Sequence, residues 1–102
     1  MHVFDLDSID VFPYEERDKN IFFKTGGFKT RIIKLSPGEG IPECEMASYV
    51  IFIILEGKVK IMVNKDKATL SKNQCLIMEP SVVSTKSKNG VKIIGIQIVK
   101  SL

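Results

Sequence analysis

The stretch Tyr49–Asn64, YVIFIILEGKVKIMVN, restricts the possible folds more than any other part of the chain. Tyr49 to Leu55 is apolar at every position and rich in β-branched residues, the composition of a strand buried on both faces. Glu56-Gly57 then reads as a tight turn, with Gly57 supplying the positive φ that a hairpin needs. Beyond it Val59, Ile61 and Val63 alternate with Lys58, Lys60, Met62 and Asn64, the pattern of a half-buried strand with a wet side. The expectation is a central hairpin around which the rest of the chain wraps.

A chain of 102 residues suits one domain, here residues 1–102, with 1–20 as an N-terminal edge strand and loop. Hydrophobic residues make up 44%, ordinary for a globular protein and too many for a disordered one. The net charge of +3 comes from lysines spread along the chain, not gathered into the basic stripe that phosphate backbones require, so nucleic acid is not an expected partner. The longest apolar run, Tyr49–Leu55, is too short to cross a bilayer, so no membrane association is expected either. The opening MHVFDLD carries acids early and lacks the basic-then-apolar order of a secretory signal. With Cys44 and Cys75 far apart in sequence, this predicts free thiols and a cytoplasmic protein.

Along the chain, Val3–Val11 alternates as a short edge strand, and Pro13 with Glu15–Asn20 makes a charged loop. Strands are expected at Ile21–Thr25 and Phe28–Leu35, joined by Gly26-Gly27, and Ser36–Pro42 is a Pro- and Gly-rich loop. Further turns fall at Lys65–Lys67 and Lys72–Gln74, flanking a short strand at Ala68–Ser71. Cys75–Met78 reads as a short buried strand ended by Glu79-Pro80, and another begins at Val82-Val83. Asn89-Gly90 signals a hairpin, and Val91–Lys100 is the last strand, with Ile94, Ile96 and Ile98 on one face. No segment has a helical period, and short strands with turns every eight to twelve residues predict an all-β sandwich or barrel.

Two segments resemble the cupin superfamily. Its first motif runs Gly, five residues, His-x-His, three or four residues, Glu, six residues, Gly; at that spacing this chain has Gly38, Cys44, Met46, Val50 and Gly57. The flanking LSPGEGIP and YVIFIILEGKV are similar to the family's wording. The second motif runs Gly, five residues, Pro-x-Gly, two residues, His; here Asn73, Glu79-Pro80-Ser81 and Ser84 occupy it. The resemblance covers about Phe28 to Val99. It implies a double-stranded β-helix, a jelly-roll barrel with a pocket inside. In metal-binding cupins the His, His, Glu and His of these motifs hold one divalent ion. The corresponding Cys44, Met46, Val50 and Ser84 include no histidine or carboxylate, and Val50 has no lone pair at all. No cofactor or metal is therefore expected at the family's usual site.

The same residues are open to other chemistry. Cys44 and Met46 are soft donors suited to Cu(I), or packing residues of an apolar pocket wall. A one-residue slip brings Glu43 and Glu45 to the His-x-His positions, where they would hold a hard cation or simply be solvated. A nucleophilic Cys44 would need a base, and the single histidine, His2, sits at the terminus. Tyr14 and Tyr49 read as strand-face residues with hydroxyls at the rim, and Gly26-Gly27 has no following helix to cradle a phosphate.

The reading is a cupin-like protein that binds a small molecule, or acts as a sensor or accessory subunit, without metal. Its pocket would be lined by Cys44, Met46, Val50, Phe52, Met62, Met78 and Ser84. The alternatives are an enzyme of isomerase or dioxygenase type with an atypical metal site at Glu43, Glu45 or Cys44, and a barrel that serves as a protein-binding surface. Tyr49, Ile51, Ile53 and Leu55 share one strand face and Val50, Phe52 and Ile54 the other. Whichever face lies outside needs a cover, and this predicts a two-fold homodimer.

Overall fold

The Tyr49–Asn64 stretch does not fold back at Glu56-Gly57. In the computed structural model, which describes residues 1–99, it forms one continuous strand, β4 (Val50–Val63). Before it come β1 (Ile21–Lys24), β2 (Phe28–Leu35) and β3 (Gly40–Met46). After it come β5 (Asp66–Ser71), β6 (Cys75–Met78), β7 (Ser81–Lys86) and β8 (Val91–Ile98). All pairings are antiparallel. The first half of β4 lies between β8 and β6, in a sheet ordered β1-β2-β8-β4-β6. Its second half lies between β7 and β5, in a sheet ordered β3-β7-β4-β5. The two sheets curl around one core as the expected jelly-roll barrel.

The bend in β4 explains the misread turn. Fourteen residues of straight strand would reach about 46 Å. The longest dimension of the molecule is 35 Å, so β4 must curve. It does so at a bulge, where its register with β8 shifts between Ile54 and Glu56, and at Gly57, whose φ is 80°. A Cβ at Gly57 would overlap the Gly90 carbonyl oxygen. The glycine therefore has the backbone role expected of it, but serves a change of sheet within one strand. A tight two-residue turn comes later, at Asn64 and Lys65 with φ of 48° and 78°, and joins β4 to β5 as a type I′ hairpin.

Expectations for the N-terminal segment, one turn and two short segments are also corrected. Val3–Val11 forms no strand, and the charged segment after Pro13 is a kinked 3-10 helix, Tyr14–Asn20. Asn20 is buried there; its side chain accepts from Phe12 N at 2.8 Å and donates to Phe12 O at 2.9 Å, tying the N-terminal segment down. Asn89-Gly90 does turn the chain, but β7 and β8 do not pair with each other, so this is a crossing between sheets and not a hairpin. In β8 the buried face is Val91, Ile93 and Gly95, while Ile94, Ile96 and Ile98 face outward. Strand β3 starts at Gly40, inside the expected loop, and β6 buries only Met78 fully, leaving Cys75 and Ile77 exposed. Lys100, expected at the end of the last strand, lies outside the described residues.

The core gathers at one end of the barrel. Leu35, Ile54, Val59, Ile61 and Ile93 are each at most 1% exposed there. Two crossing loops cover this end and are locked by Ser87, fully buried, which donates to Lys58 O at 2.7 Å and accepts from Gly90 N at 2.9 Å. The Ser87 backbone also bonds Gly38 N and Glu39 O. At the other end the barrel opens. Among the described residues no helix is long and apolar enough to cross a membrane.

Candidate functional site

Period-two alternation decides which side chains face the open half of the barrel. On β4 the inward residues are Val50, Phe52 and Ile54, with Val50 only 2% exposed and Tyr49 turned out to solvent. Register carries the alternation across the sheet. Val50 pairs with Met78 of β6 and Gln97 of β8, and Phe52 with Leu76 and Gly95. Gly95 in turn pairs with Arg31 of β2, and Ile93 with Ile33. Gly95 matters because a Cβ there would lie 3.4 Å from both the Phe52 ring and Ile33 Cδ1, taking room from the space they border.

That space is a cavity of about 300 Å3, at the lower end of the range for small-molecule pockets. Its apolar lining is Ile33, Ile41, Met46, Val50, Phe52, Met78 and Val83, with Gly95. Cys44, Ser84, Thr85 and Gln97 add smaller polar groups, and Tyr14, Arg17 and Arg31 complete the wall. The 3-10 helix packs against β2 and brings Tyr14 and Arg17 to the mouth. The Arg17 guanidinium sits 4.6 Å from the Tyr14 ring centroid and donates to Tyr14 O at 3.3 Å. Thr85 is buried and its hydroxyl accepts from Ile41 N at 3.2 Å.

Of the seven pocket residues expected from sequence, Cys44, Met46, Val50, Phe52, Met78 and Ser84 line this cavity. Met62 does not. Continuous β4 carries it into the second sheet, paired with Ser84. There it alternates with the inward-facing Ile61. Glu43 and Glu45 are exposed and not on the wall. Glu43 belongs to a bulge, because β3 slips against β7 between Ile41 and Cys44, and Ser84 lies opposite it. Both cysteines are free thiols, and Cys44 Sγ lies 3.9 Å from Met46 Sδ.

The residues at the four ligand positions of the cupin motifs do not fit a hard divalent ion. Val50 offers no donor, and Cys44, Met46 and Ser84 offer no imidazole or carboxylate. Among the described residues no three or more His, Cys, Asp or Glu side chains cluster. Sequence reasoning missed Ile41, Val83 and Thr85, within or beside the motifs, and Tyr14, Arg17, Arg31, Ile33, Gly95 and Gln97, which come from elements outside them. For Arg31 a signal was present: it shares the period-two face of Ile33 and Leu35.

No protein-family profile and no curated protein sequence matches the chain. Solved structures do. A cupin superfamily protein from Desulfitobacterium hafniense superposes with a TM-score of 0.74 at 17% identity, over 78% of this chain and 74% of that one. KdgF from Halomonas sp. gives 0.73 at 12% identity, over 79% and 76%. Salicylate 1,2-dioxygenase from Pseudoaminobacter salicylatoxidans gives 0.65 at 14% identity, over 71% of this chain but only 20% of the other.

Proposed function

We propose that this chain, which has the cupin fold, is a small-molecule-binding protein that works without the family's usual metal site. The observation that carries the reading is the cavity itself. It lies inside the barrel and is mostly apolar, and at the motif's ligand positions it has side chains that wall a pocket instead of gripping an ion. A sensor or accessory subunit needs no more than this.

The test is native mass spectrometry together with elemental analysis of protein purified without a chelator. A co-purifying organic molecule and sub-stoichiometric metal support the reading. Stoichiometric metal, retained in wild type and lost in Cys44→Ser, overturns it in favour of a soft-metal enzyme. One observation favours that second reading: Cys44 and Met46 hold their sulfurs 3.9 Å apart on the wall that Met78 also lines.

The protein is further proposed to be a cytoplasmic homodimer. Two exposed free thiols support a reducing compartment. For the dimer, the support is the outer face of the first sheet. The N-terminal segment covers part of it, with Lys92 Nζ donating to Leu6 O at 2.8 Å. Ile51 there pairs with both Ile77 and Ile96, and Ile98 with Phe28, making an apolar row in which Ile77 is 65% exposed. Sedimentation of Ile77→Lys against wild type tests it: the variant should be monomeric where wild type is dimeric, and a monomeric wild type at micromolar concentration overturns it.

A further inference from the structure

We propose that the cavity takes an organic anion, a carboxylate with an apolar body, whose head is held at the mouth by Arg31 and Arg17. The inference rests on the binding reading above and names the class of ligand. The wall of the cavity carries two guanidinium groups and no carboxylate. Arg31 is half-buried on the inward face of β2, opposite the bare backbone of Gly95. It has no acidic partner: among the described residues the single ion pair is Lys19–Glu16, out on the 3-10 helix.

The charges around the mouth favour the same sign. Lys29, half-buried, pairs with Gln97 on the inward register, one step along β2 from Arg31 on that face. The acids nearest in sequence to Arg17 are Glu15, Glu16 and Asp18; all are exposed, none lines the cavity, and Glu16 is engaged by Lys19 at 2.7 Å. Arg17 spends one N–H on Tyr14 O and keeps others in its fork for a ligand. A cleft with like-signed charges on low-dielectric walls focuses its potential and concentrates counter-ions. A guanidinium recognises a carboxylate through two parallel N–H bonds, which a lysine cannot offer.

Polarity then fixes orientation. The apolar floor towards the packed core is Ile33, one inward step along β2 from Arg31, with Phe52 and Gly95 at the level of Arg31 itself and the exposed Arg17 on the solvent side. An anion without an apolar body would leave that floor empty. An apolar molecule without a charge would leave Arg31 with nothing to answer it.

The experiment is a titration of the intact chain followed by 1H–15N spectra, reading the Gly95 amide. The probes are matched pairs, hexanoate with hexanamide and 3-phenylpropionate with 3-phenylpropanamide, together with inorganic phosphate. The acids should bind about ten- to a hundredfold more tightly than their amides. Arg31→Gln should abolish that difference while leaving amide binding in place. Equal binding of acid and amide to wild type would overturn the anion assignment and leave the binding reading standing. If neither member of either pair shifts Gly95, both fall. Displacement of the acids by equimolar phosphate would overturn the choice of carboxylate over a phosphoryl head. The comparison within wild type keeps the proposal open to refutation even if the Arg31 variant fails to fold.

Discussion

The closed end of the barrel and its mouth are built from the same strands, yet they differ in what fills them. At the closed end Ile54, Ile61 and Ile93 are fully buried and interlock with Leu35, Val59 and Val91. The fully buried Ser87 hydroxyl has both its donor and its acceptor capacity satisfied. Four to six residues further along the same strands, Val50, Gln97 and Arg31 border open space. Shape-filling side chains at one end hold the barrel shut, and this leaves the other end able to carry a cavity lined by Gly95, Cys44 and a charged arginine without losing the fold. The two ends divide stability from recognition along β2, β4 and β8.

The largest expected effect is at the closed end. Ile54→Ala should cost about 4 kcal/mol in urea unfolding, the removed methylenes plus a void that rigid neighbours cannot fill. Gly57→Ala should cost about 3 kcal/mol, because the residue needs a positive φ and its Cβ would strike the Gly90 carbonyl. Ser87→Ala should cost about 2 kcal/mol, leaving the Lys58 carbonyl and the Gly90 N–H without their partner. The smallest effect belongs to the mouth, where Cys44→Ser should stay within about 0.5 kcal/mol of wild type. If Cys44→Ser destabilised the fold as much as Ser87→Ala, the division between the two ends would be wrong. A series that falls in this order would sharpen it.

Much of this was legible from local pattern. The bounds of β2, Phe28–Leu35, follow directly from composition and turns, and the positive-φ residues Asn64 and Asn73 fall at or beside the expected turns. Cys44, Met46, Val50 and Ser84 come from the spacing of the cupin motifs, not from local alternation, and all four border the cavity. The failures share a cause. Glu56-Gly57 and Asn89-Gly90 announce a bend in the backbone, and nothing local says whether the bend reverses a strand or passes it to another sheet. Arg31 and Gln97 reach the cavity only because β8 inserts between β2 and β4, a pairing of residues more than forty positions apart in sequence. The 3-10 helix has no apolar period to betray it, and it holds its place through Asn20 and its contact with β2.

The position of β8 has a consequence for how the chain is made. It is the last of the described strands to leave the ribosome, yet it occupies the middle of its sheet. Until residues 91–98 have been synthesised, β2 and β4 each present an unpaired edge, and the isoleucine row of β4 has nothing beside it on that side. The β1–β2 and β4–β5 hairpins can close early from neighbouring residues, but the barrel cannot form stepwise behind them. Its assembly waits on one late insertion, which places this small domain among the slow, non-local folders and leaves the nascent chain prone to aggregation until β8 has been added.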